Sequence, residues 1–98
     1  MLIQELLQQV ENAKNPVAKA LHKGDHHKVL AIAFKKDMIL KEHQTHLPAM
    51  LLVLAGKVVY NEAHREVVAL QYEEIAIPVE TMHQVTALED SLCLLIQG

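Results

Sequence analysis

The chain has 98 residues, of which 51% are apolar, and carries 9 basic and 12 acidic residues for a net charge of -3. This length is enough for one domain and too short for two, and the apolar share excludes a disordered tail. The basic pair Lys35 and Lys36 is too small for a phosphate-binding surface, so nucleic acid is not an expected partner. The longest apolar run, about nine residues, cannot span a bilayer. Lacking a signal-peptide pattern at the N-terminus, and with a single Cys93, the chain is expected in the cytoplasm.

The first segment has the spacing of an amphipathic helix. Five apolar residues recur at steps of three and four: Leu2, Leu6, Leu7, Val10 and Ala13. Because the residue before Pro16 is disfavoured in a helix, the helix is predicted over residues 1–15. An isolated helix of this length is marginal in water, so its apolar face is expected to dock on the domain or on a second copy of the chain.

After Pro16 the apolar pattern changes to a period of two, which is typical of β-strands. Residues 29–34 are apolar on both faces, as in a strand inside a double-layered core. The predicted strands cover residues 17–21, 29–34, 38–42, 50–55, 57–60, 65–70, 75–79, 83–88 and 92–96. Many short strands at even spacing, without alternating helices, predict a single all-β domain over residues 17–98, an antiparallel sandwich or barrel.

The order of features after residue 40 carries a family resemblance. In LKEHQTHLPAMLLVLAG, residues 40–56, a histidine-bearing strand leads into an apolar strand that ends in Gly56, and Pro78 is followed five residues later by His83. Over residues 29–96 this order resembles the cupins, a family of small jelly-roll barrels. The resemblance implies an antiparallel jelly-roll β-barrel with one short N-terminal helix. Since cupins often dimerise, and both faces of residues 29–34 are apolar, a homodimer is expected.

The first cupin motif is only partly present in this chain. It consists of His-x-His, three or four residues, Glu, six residues and Gly. With Gly56 as the anchor, the two histidine positions fall on His43 and Thr45, and the Glu position falls on Ala49. The motif supplies three metal ligands in the family, and the resemblance therefore implies that this chain keeps one of them, His43.

The second motif is also partly present. With Pro78 as the anchor, its histidine falls on His83, which matches. Its two glycine positions fall on Tyr72 and Glu80, and its final Asn falls on Ala87. Two of the four metal ligands of the family, His43 and His83, are thus kept.

The predicted strand over residues 83–88 supports His83 as a site residue independently of the motif. Side chains alternate along a strand, so His83 shares a face with Val85 and Ala87, which are small and apolar. A histidine on such an inward face needs a hydrogen-bond partner, water or a metal ion. We therefore predict that His43 and His83 face one barrel cavity. The remaining predicted cavity residues are Thr45, Ala49 and Val85.

His46 is the undecided member of the predicted metal set. In a straight strand His43 and His46 point to opposite faces, and only a bulge or bend near Pro48 would bring both inward. With His46, three histidines would bind a divalent ion such as Zn, Ni, Mn or Fe. Without it, the site would have two histidines, with the Thr45 hydroxyl as an optional further ligand. That would be a weak metal site, or none, and a better small-molecule pocket. No acidic residue offers an obvious further ligand, since Glu42 should face away from its neighbour.

Two functions from different classes remain open. One is a non-catalytic protein that binds a small organic ligand in its barrel cavity, with a weakly held divalent metal ion; the missing motif Glu favours this hypothesis. The other is a metal-dependent enzyme of the isomerase or oxygenase type, in which a histidine-bound ion polarises an oxygen-bearing substrate. His22, His26 and His27 flank a predicted turn, and metal binding there would be adventitious.

Overall fold

The computed structural model of the chain describes residues 1–43 and 46–98, and of residues 42 and 43 it describes the backbone alone. Within these residues, one helix precedes nine strands. The elements are α1 (Leu2–Val10), β1 (Val17–Lys23), β2 (Lys28–Phe34), β3 (Ile39–His43), β4 (Ala49–Ala55), β5 (Lys57–Glu62), β6 (Arg65–Leu70), β7 (Glu74–Ile77), β8 (His83–Ala87) and β9 (Ser91–Gln97).

The strands form two antiparallel sheets that enclose the core. The five-stranded sheet has the order β1-β2-β9-β4-β7, and the four-stranded sheet has the order β3-β8-β5-β6. The predicted all-β class, an antiparallel jelly-roll barrel with one short N-terminal helix, is confirmed. In the described part of the chain, no helix is both long enough and apolar enough to cross a membrane.

The core lies between the inward faces of the two sheets. Its two largest side chains, Phe34 on β2 and Tyr60 on β5, come from opposite sheets and are 1% and 0% exposed. The period of two along each strand places every second residue in this cluster, which is why the apolar alternation in the sequence located the strands. The cluster also contains Ile32, Ala49, Leu51, Val53, Val58, Ala69, Ile75, Ile77, Val85, Ala87, Cys93 and Leu95.

Helix α1 covers part of the outer face of the five-stranded sheet. Leu6 and Val10 of the helix are buried and pack in one cluster with Ala31 and Ala33 of β2. The second apolar face of β2 is therefore covered by the chain's own helix. Alanines suit this position because a helix can approach a strand closely only over small side chains.

The helix ends at Val10, five residues before the predicted limit at residue 15. The backbone N–H groups of Glu11, Asn12 and Ala13 each donate to the carbonyl three residues earlier, at 3.2–3.3 Å. These bonds tighten the last turn into 3₁₀ geometry, so the α-helix stops before Pro16 forces it to.

The turn between β4 and β5 depends on Gly56. Its φ angle is +91°, a region that side chains disfavour. A Cβ atom at this position would lie 2.3 Å from Ser91 Oγ and 2.4 Å from the carbonyl oxygen of Asp90. Glycine is therefore required here for packing, because β9 begins directly against the turn.

Candidate functional site

A row of four residues crosses the end of the four-stranded sheet. His83 is the Cα partner of His43 on β3 and of Glu62 on β5, and Glu62 is in turn the partner of Arg65 on β6. We call this row the end rung, because β3 and β5 end in it and β6 and β8 begin in it. Directly opposed residues of antiparallel strands share one face of the sheet. Since His83 is 2% exposed and belongs to the inward face, the row marks one end of the barrel interior.

Strand β3 reaches the end rung through a bulge. Leu40 pairs with Val85, whereas His43 pairs with His83, so three steps along β3 correspond to two along β8. In a regular ladder, Glu42 would be the partner of His83, and the bulge replaces it by His43. The strands that carry His43 and His83 are thus neighbours, as the sequence predicted, while the His43 side chain lies outside the part of the chain that the structure describes.

His83 is held in one orientation by its surroundings. Its Nδ1 atom lies 2.9 Å from the backbone carbonyl oxygen of Thr81. A carbonyl oxygen only accepts hydrogen bonds, so Nδ1 carries the proton, and in the neutral ring the lone pair is on Nε2. The ring also stacks on Tyr60, with centroids 5.7 Å apart and planes at 28°. This is the tautomer and the restraint typical of histidines that bind metal ions through Nε2.

A second group of polar contacts joins Glu62 to its neighbours. The Tyr60 hydroxyl donates a short hydrogen bond to Glu62 Oε2, and Arg65 Nη2 donates to the same oxygen at 3.3 Å. Arg65 also donates to the carbonyl of Ala76 at 2.7 Å, and its guanidinium carbon lies 5.2 Å from the centre of the Tyr60 ring. The Glu62 side chain is only 14% exposed. The carboxylate therefore lies at the barrel end with one oxygen fixed.

Tyr60 links this group to the core. Burial, together with the smaller effect of the hydrogen bond to Glu62, raises the pKa of its hydroxyl to about 12. Tyr60 therefore remains a protonated donor to Glu62 at any physiological pH. One face of the ring contacts His83 and the barrel interior, so the phenol joins the packed core to the polar end rung.

The site residues predicted from the sequence did not include Glu62, Tyr60 or Arg65. The predicted strand ended at residue 60, whereas β5 continues to Glu62. The period of two that puts Val58 and Tyr60 on the inward face extends to Glu62 without a break. That extension was the available signal for a carboxylate next to His83.

The predicted cavity residues lie in different places. Val85 is 1% exposed and pairs with Tyr60, so it belongs to the packed core. Ala49 also belongs to the core cluster and borders, with Met50 and Ile96, a groove of about 180 Å³. Thr45 lies outside the described residues. A ligand cavity lined by these three residues stays a prediction.

His46 lies at the surface. Its side chain is 84% exposed, and its Nδ1 atom is 2.6 Å from Glu80 Oε1. Among the side chains that the structure describes, no group of three or more His, Cys, Asp or Glu residues could hold a metal ion. The described side chains include those of His46 and His83 but not that of His43, so the three-histidine set stays a prediction.

The hairpin between β1 and β2 contains a separate pair of histidines. The rings of His22 and His27 stack with centroids 5.2 Å apart, and His27 Nε2 lies 3.2 Å from His22 Nδ1. Both side chains are exposed, and His26 and His27 border a cavity of about 300 Å³ at the hairpin. The histidines of this hairpin are thus solvated, as expected from the turn sequence.

Two backbone angles match the second motif where its residues do not. Tyr72 and Glu80 occupy the two glycine positions of the motif, and their φ angles are +70° and +55°. This left-handed region favours glycine and costs other residues about 1 kcal/mol or more. At both positions the backbone therefore adopts a conformation that favours the glycine of the motif over the residue present.

Comparisons with known proteins agree with this geometry at the level of the fold. No protein-family model and no curated protein sequence matches the chain. Among solved structures, a cupin superfamily protein from Desulfitobacterium hafniense is 15% identical with a TM-score of 0.81, over 88% of this chain and 79% of that chain. An RmlC-like cupin from Desulfovibrio desulfuricans is 20% identical with a TM-score of 0.80, over 87% and 83%. KdgF from a Halomonas species is 19% identical with a TM-score of 0.78, over 88% and 82%.

These structural matches and the turn geometry at Tyr72 and Glu80 lead to the same assignment. Proteins whose sequences share a fifth of their residues or fewer with this chain match most of its length with TM-scores of 0.78–0.81. The chain therefore has the cupin fold.

Proposed function

We propose that this protein binds a small organic ligand at the end rung, together with a divalent metal ion held weakly by His43 and His83. The observation that carries the proposal is the register of β3 and β8, which makes these two histidines direct partners at the barrel end. The Nδ1–H of His83 is bonded to the Thr81 carbonyl, which leaves Nε2 as the atom with the lone pair. Imidazole nitrogens suit Zn, Ni, Mn or Fe, so the residues fit such an ion.

The packing of the barrel supports the end rung as the place for the ligand. Phe34, Val53, Tyr60 and Val85 are at most 1% exposed and belong to one cluster, so side chains fill the middle of the barrel. Small barrels of this kind take ligands at their mouths, where the packed layers stop. The end rung is such a place, since Arg65 remains 40% exposed while His83 is buried.

The charges of the end rung favour a ligand with an anionic oxygen group. Arg65 and a divalent ion would together carry three positive charges against the one negative charge of Glu62. The Arg65 guanidinium has five N–H donors, of which the described contacts use those of Nη2. When bound, the metal ion would polarise an oxygen atom of the ligand. A carboxylate or a similar oxyanion is thus the ligand class that we propose.

A metal-dependent enzyme, of the isomerase or oxygenase type, is the second candidate function. The observation that favours it is the contact between His83, which is held in one tautomer, and the protonated Tyr60. The centroids of the two rings are 5.7 Å apart. A neutral phenol near a metal-bound ligand can donate a hydrogen bond to developing negative charge. In this hypothesis Tyr60 would have to leave Glu62 during the reaction.

Metal analysis of the purified protein tests the proposed function. The protein would be purified without a histidine-affinity step, dialysed against Zn²⁺ or Mn²⁺, and analysed for bound metal. We expect His83→Ala, checked for folding by circular dichroism, to lose the bound ion and the exposed control His64→Ala to keep it. A folded His83→Ala protein that binds metal as the parent does would contradict the proposal. If His83→Ala does not fold, His83→Gln keeps most of the ring volume and answers the same question.

We also propose a homodimer, on a different surface from the one that the sequence suggested. Helix α1 covers the outer face of β2, which removes that face as an interface. Farther along the same sheet, Met50, Leu52 and Leu54 of β4 and Ile96 of β9 form an apolar strip that helix α1 does not pack against in the described clusters. A second copy is the simplest partner for such a strip, because a two-fold interface pairs one patch with itself.

Light scattering at micromolar concentration tests the dimer. We expect the parent to have the mass of two chains and Met50→Asp to have the mass of one. Val68→Asp is the matched control, because Val68 is 50% exposed on β6 of the other sheet. A monomeric parent, or a dimer that only Val68→Asp disrupts, would contradict the proposed surface.

We propose that the protein is cytoplasmic, because of the way in which its cysteine is used. Cys93 is fully buried, and burial raises the pKa of its thiol to about 12. The thiol is thus kept protonated and inert. A cysteine used in this way, as a small apolar side chain, needs no oxidising compartment.

A further inference from the structure

We propose that Glu62 is the third metal ligand of this site, so that His43, His83 and Glu62 form a set of two histidines and one carboxylate. The inference rests on the proposed function, because it names a further ligand of the same ion. It concerns a residue that lies outside both sequence motifs, on β5 rather than on β3, β4 or β8. The carboxylate that is missing at Ala49 would thus come from another strand.

The register of the strands brings Glu62 next to His83. His83 has His43 as its partner on one side and Glu62 as its partner on the other. Opposed residues on one face have Cβ atoms roughly 4.5–5.5 Å apart. Side chains of histidine and glutamate that start at this separation can converge on one ion, since each ligand atom need only come within about 2.0–2.2 Å of it.

The side chains of His83 and Glu62 are each held by the protein through one atom. His83 is held through Nδ1 by the Thr81 carbonyl, which directs the ring and puts the lone pair of the neutral ring on Nε2. Glu62 is held through Oε2 by Tyr60 and Arg65, and within the described part of the chain its Oε1 atom makes no hydrogen bond. Metal ligands commonly show this arrangement, in which one atom binds the ion and the other is bonded to the protein.

The burial of the Glu62 carboxylate also supports its role as a ligand. An ion pair that only joins β5 to β6 could lie on the outer face of the sheet, where Glu66 is exposed. Glu62 instead lies on the inward face beside a buried histidine, with 14% of its side chain exposed. Burying a carboxylate is costly unless a positive charge compensates it. Arg65 provides part of this compensation in the metal-free chain, and a bound divalent ion would add to it.

This ligand set also suits the proposed ligand. Two histidines and one carboxylate leave open coordination positions for water or an oxygen-bearing organic ligand. The same Arg65 that holds Glu62 lies next in the row, so an anionic group bound to the ion could reach its remaining N–H donors. The competing charge of Arg65 also explains why the metal would be held weakly.

A cobalt titration tests this inference. All proteins would carry His22→Ala and His27→Ala, which removes chelation by the hairpin, and Co²⁺ binding would be followed by its visible absorption and by calorimetry. We expect Glu62→Gln to weaken Co²⁺ binding at least tenfold and to change the absorption spectrum, because an oxygen ligand is replaced. Glu66→Gln is the control, since it removes the same charge from the outer face of the neighbouring strand and should leave both signals unchanged.

The outcomes separate this inference from the proposed function. If Glu62→Gln binds Co²⁺ with the affinity and spectrum of the parent while His83→Ala does not bind it, the role of Glu62 is wrong and the proposed function stands. If the parent itself does not bind Co²⁺, or if His83→Ala binds it normally, the metal part of the proposed function fails. Should Glu62→Gln not fold, Glu62→Asp keeps the charge but retracts it by one methylene. It should also weaken binding if Glu62 is a ligand, and unchanged binding would overturn the inference.

Discussion

Histidines occur in two contrasting places in this protein, the end rung and the β1–β2 hairpin. His83 in the end rung is 2% exposed and has a backbone partner that fixes its tautomer. His22 and His27 in the hairpin are exposed, and the main contact of each ring is with the other ring. The hairpin nevertheless has more residues of a metal-ligand type close together in sequence, with three histidines within six residues.

Under the proposed function, burial and a fixed orientation decide metal binding more than the number of ligand-type residues does. A site on a rigid, packed sheet loses little conformational entropy when it binds an ion or a ligand, whereas an exposed hairpin has to order its side chains first. A ligand bound at the end rung would also be next to Tyr60, Glu62 and Arg65, while one at the hairpin would face solvent. The predictions below test how strongly the two places differ.

The largest expected effect is the loss of the ring that connects the end rung to the core. Tyr60 is fully buried, stacks on His83 and lies beneath Arg65. We expect Tyr60→Ala to lower the free energy of unfolding by about 3–5 kcal/mol, because it leaves a cavity and breaks the bond to Glu62. Urea denaturation measures this change. A loss below about 1 kcal/mol would mean that the ring is not part of the packed core.

Replacing the buried histidine should have the next largest effect. His83→Ala removes the ring and its hydrogen bond to the Thr81 carbonyl, so we expect a loss of about 2 kcal/mol in the same urea experiment. The variant should still fold, because the apolar cluster around Val85 remains intact. An unchanged or higher stability would contradict the structural role of His83. It would point instead to a side chain kept at a cost for function alone.

The pH titration of Tyr60 tests the environment of the end rung directly. Burial raises the folded-state pKa of Tyr60 to about 12, above its ordinary value of 10.0. The resulting stabilisation is fully present below pH 10 and is lost as the pH rises from 10 towards 12, because the phenol must stay neutral in the folded state. In a Tyr72→Phe background, phenolate absorbance should show this high midpoint. A midpoint near 10 would mean that the phenol is solvated.

The smallest expected effect is in the hairpin. We expect the double variant His22→Ala/His27→Ala to change the free energy of unfolding by no more than about 0.5 kcal/mol, because both rings are exposed and contact mainly each other. Thermal or urea unfolding beside the parent measures the difference. A loss comparable to that of His83→Ala would remove the contrast between the two places.

The fold was largely predictable from the sequence because apolar segments of strand length alternate with short turn segments at even spacing. Each predicted strand overlaps an observed one, and residues 65–70 match β6 at both ends. The strand ends were less predictable: β5 runs two residues beyond the predicted end, because the alternation continues into a segment that has turn-like composition. The helix ended early for a similar local reason, the tightening of its last turn.

The site was less predictable, because it depends on register between strands that are distant in sequence. The segment from Leu40 to His43 contains no Gly or Pro that would predict a bulge. The bulge nevertheless decides whether Glu42 or His43 is opposite His83. The pairing of Glu62 with His83 is likewise a tertiary property. The inward position of Glu62 could have been predicted from the sequence, since the alternation from Val58 through Tyr60 places it on the inward face.

The most direct test of the central claim is to locate the bound ion in the folded chain. Substoichiometric Mn²⁺ broadens the NMR signals of backbone amides near its binding site, so it can be added to uniformly labelled parent protein and mapped by residue. We predict that the amides of the end rung, at His83, Glu62 and Arg65, broaden first, while those of the hairpin at His22 and His27 stay sharp. Broadening confined to the hairpin, with a sharp end rung, would contradict the account.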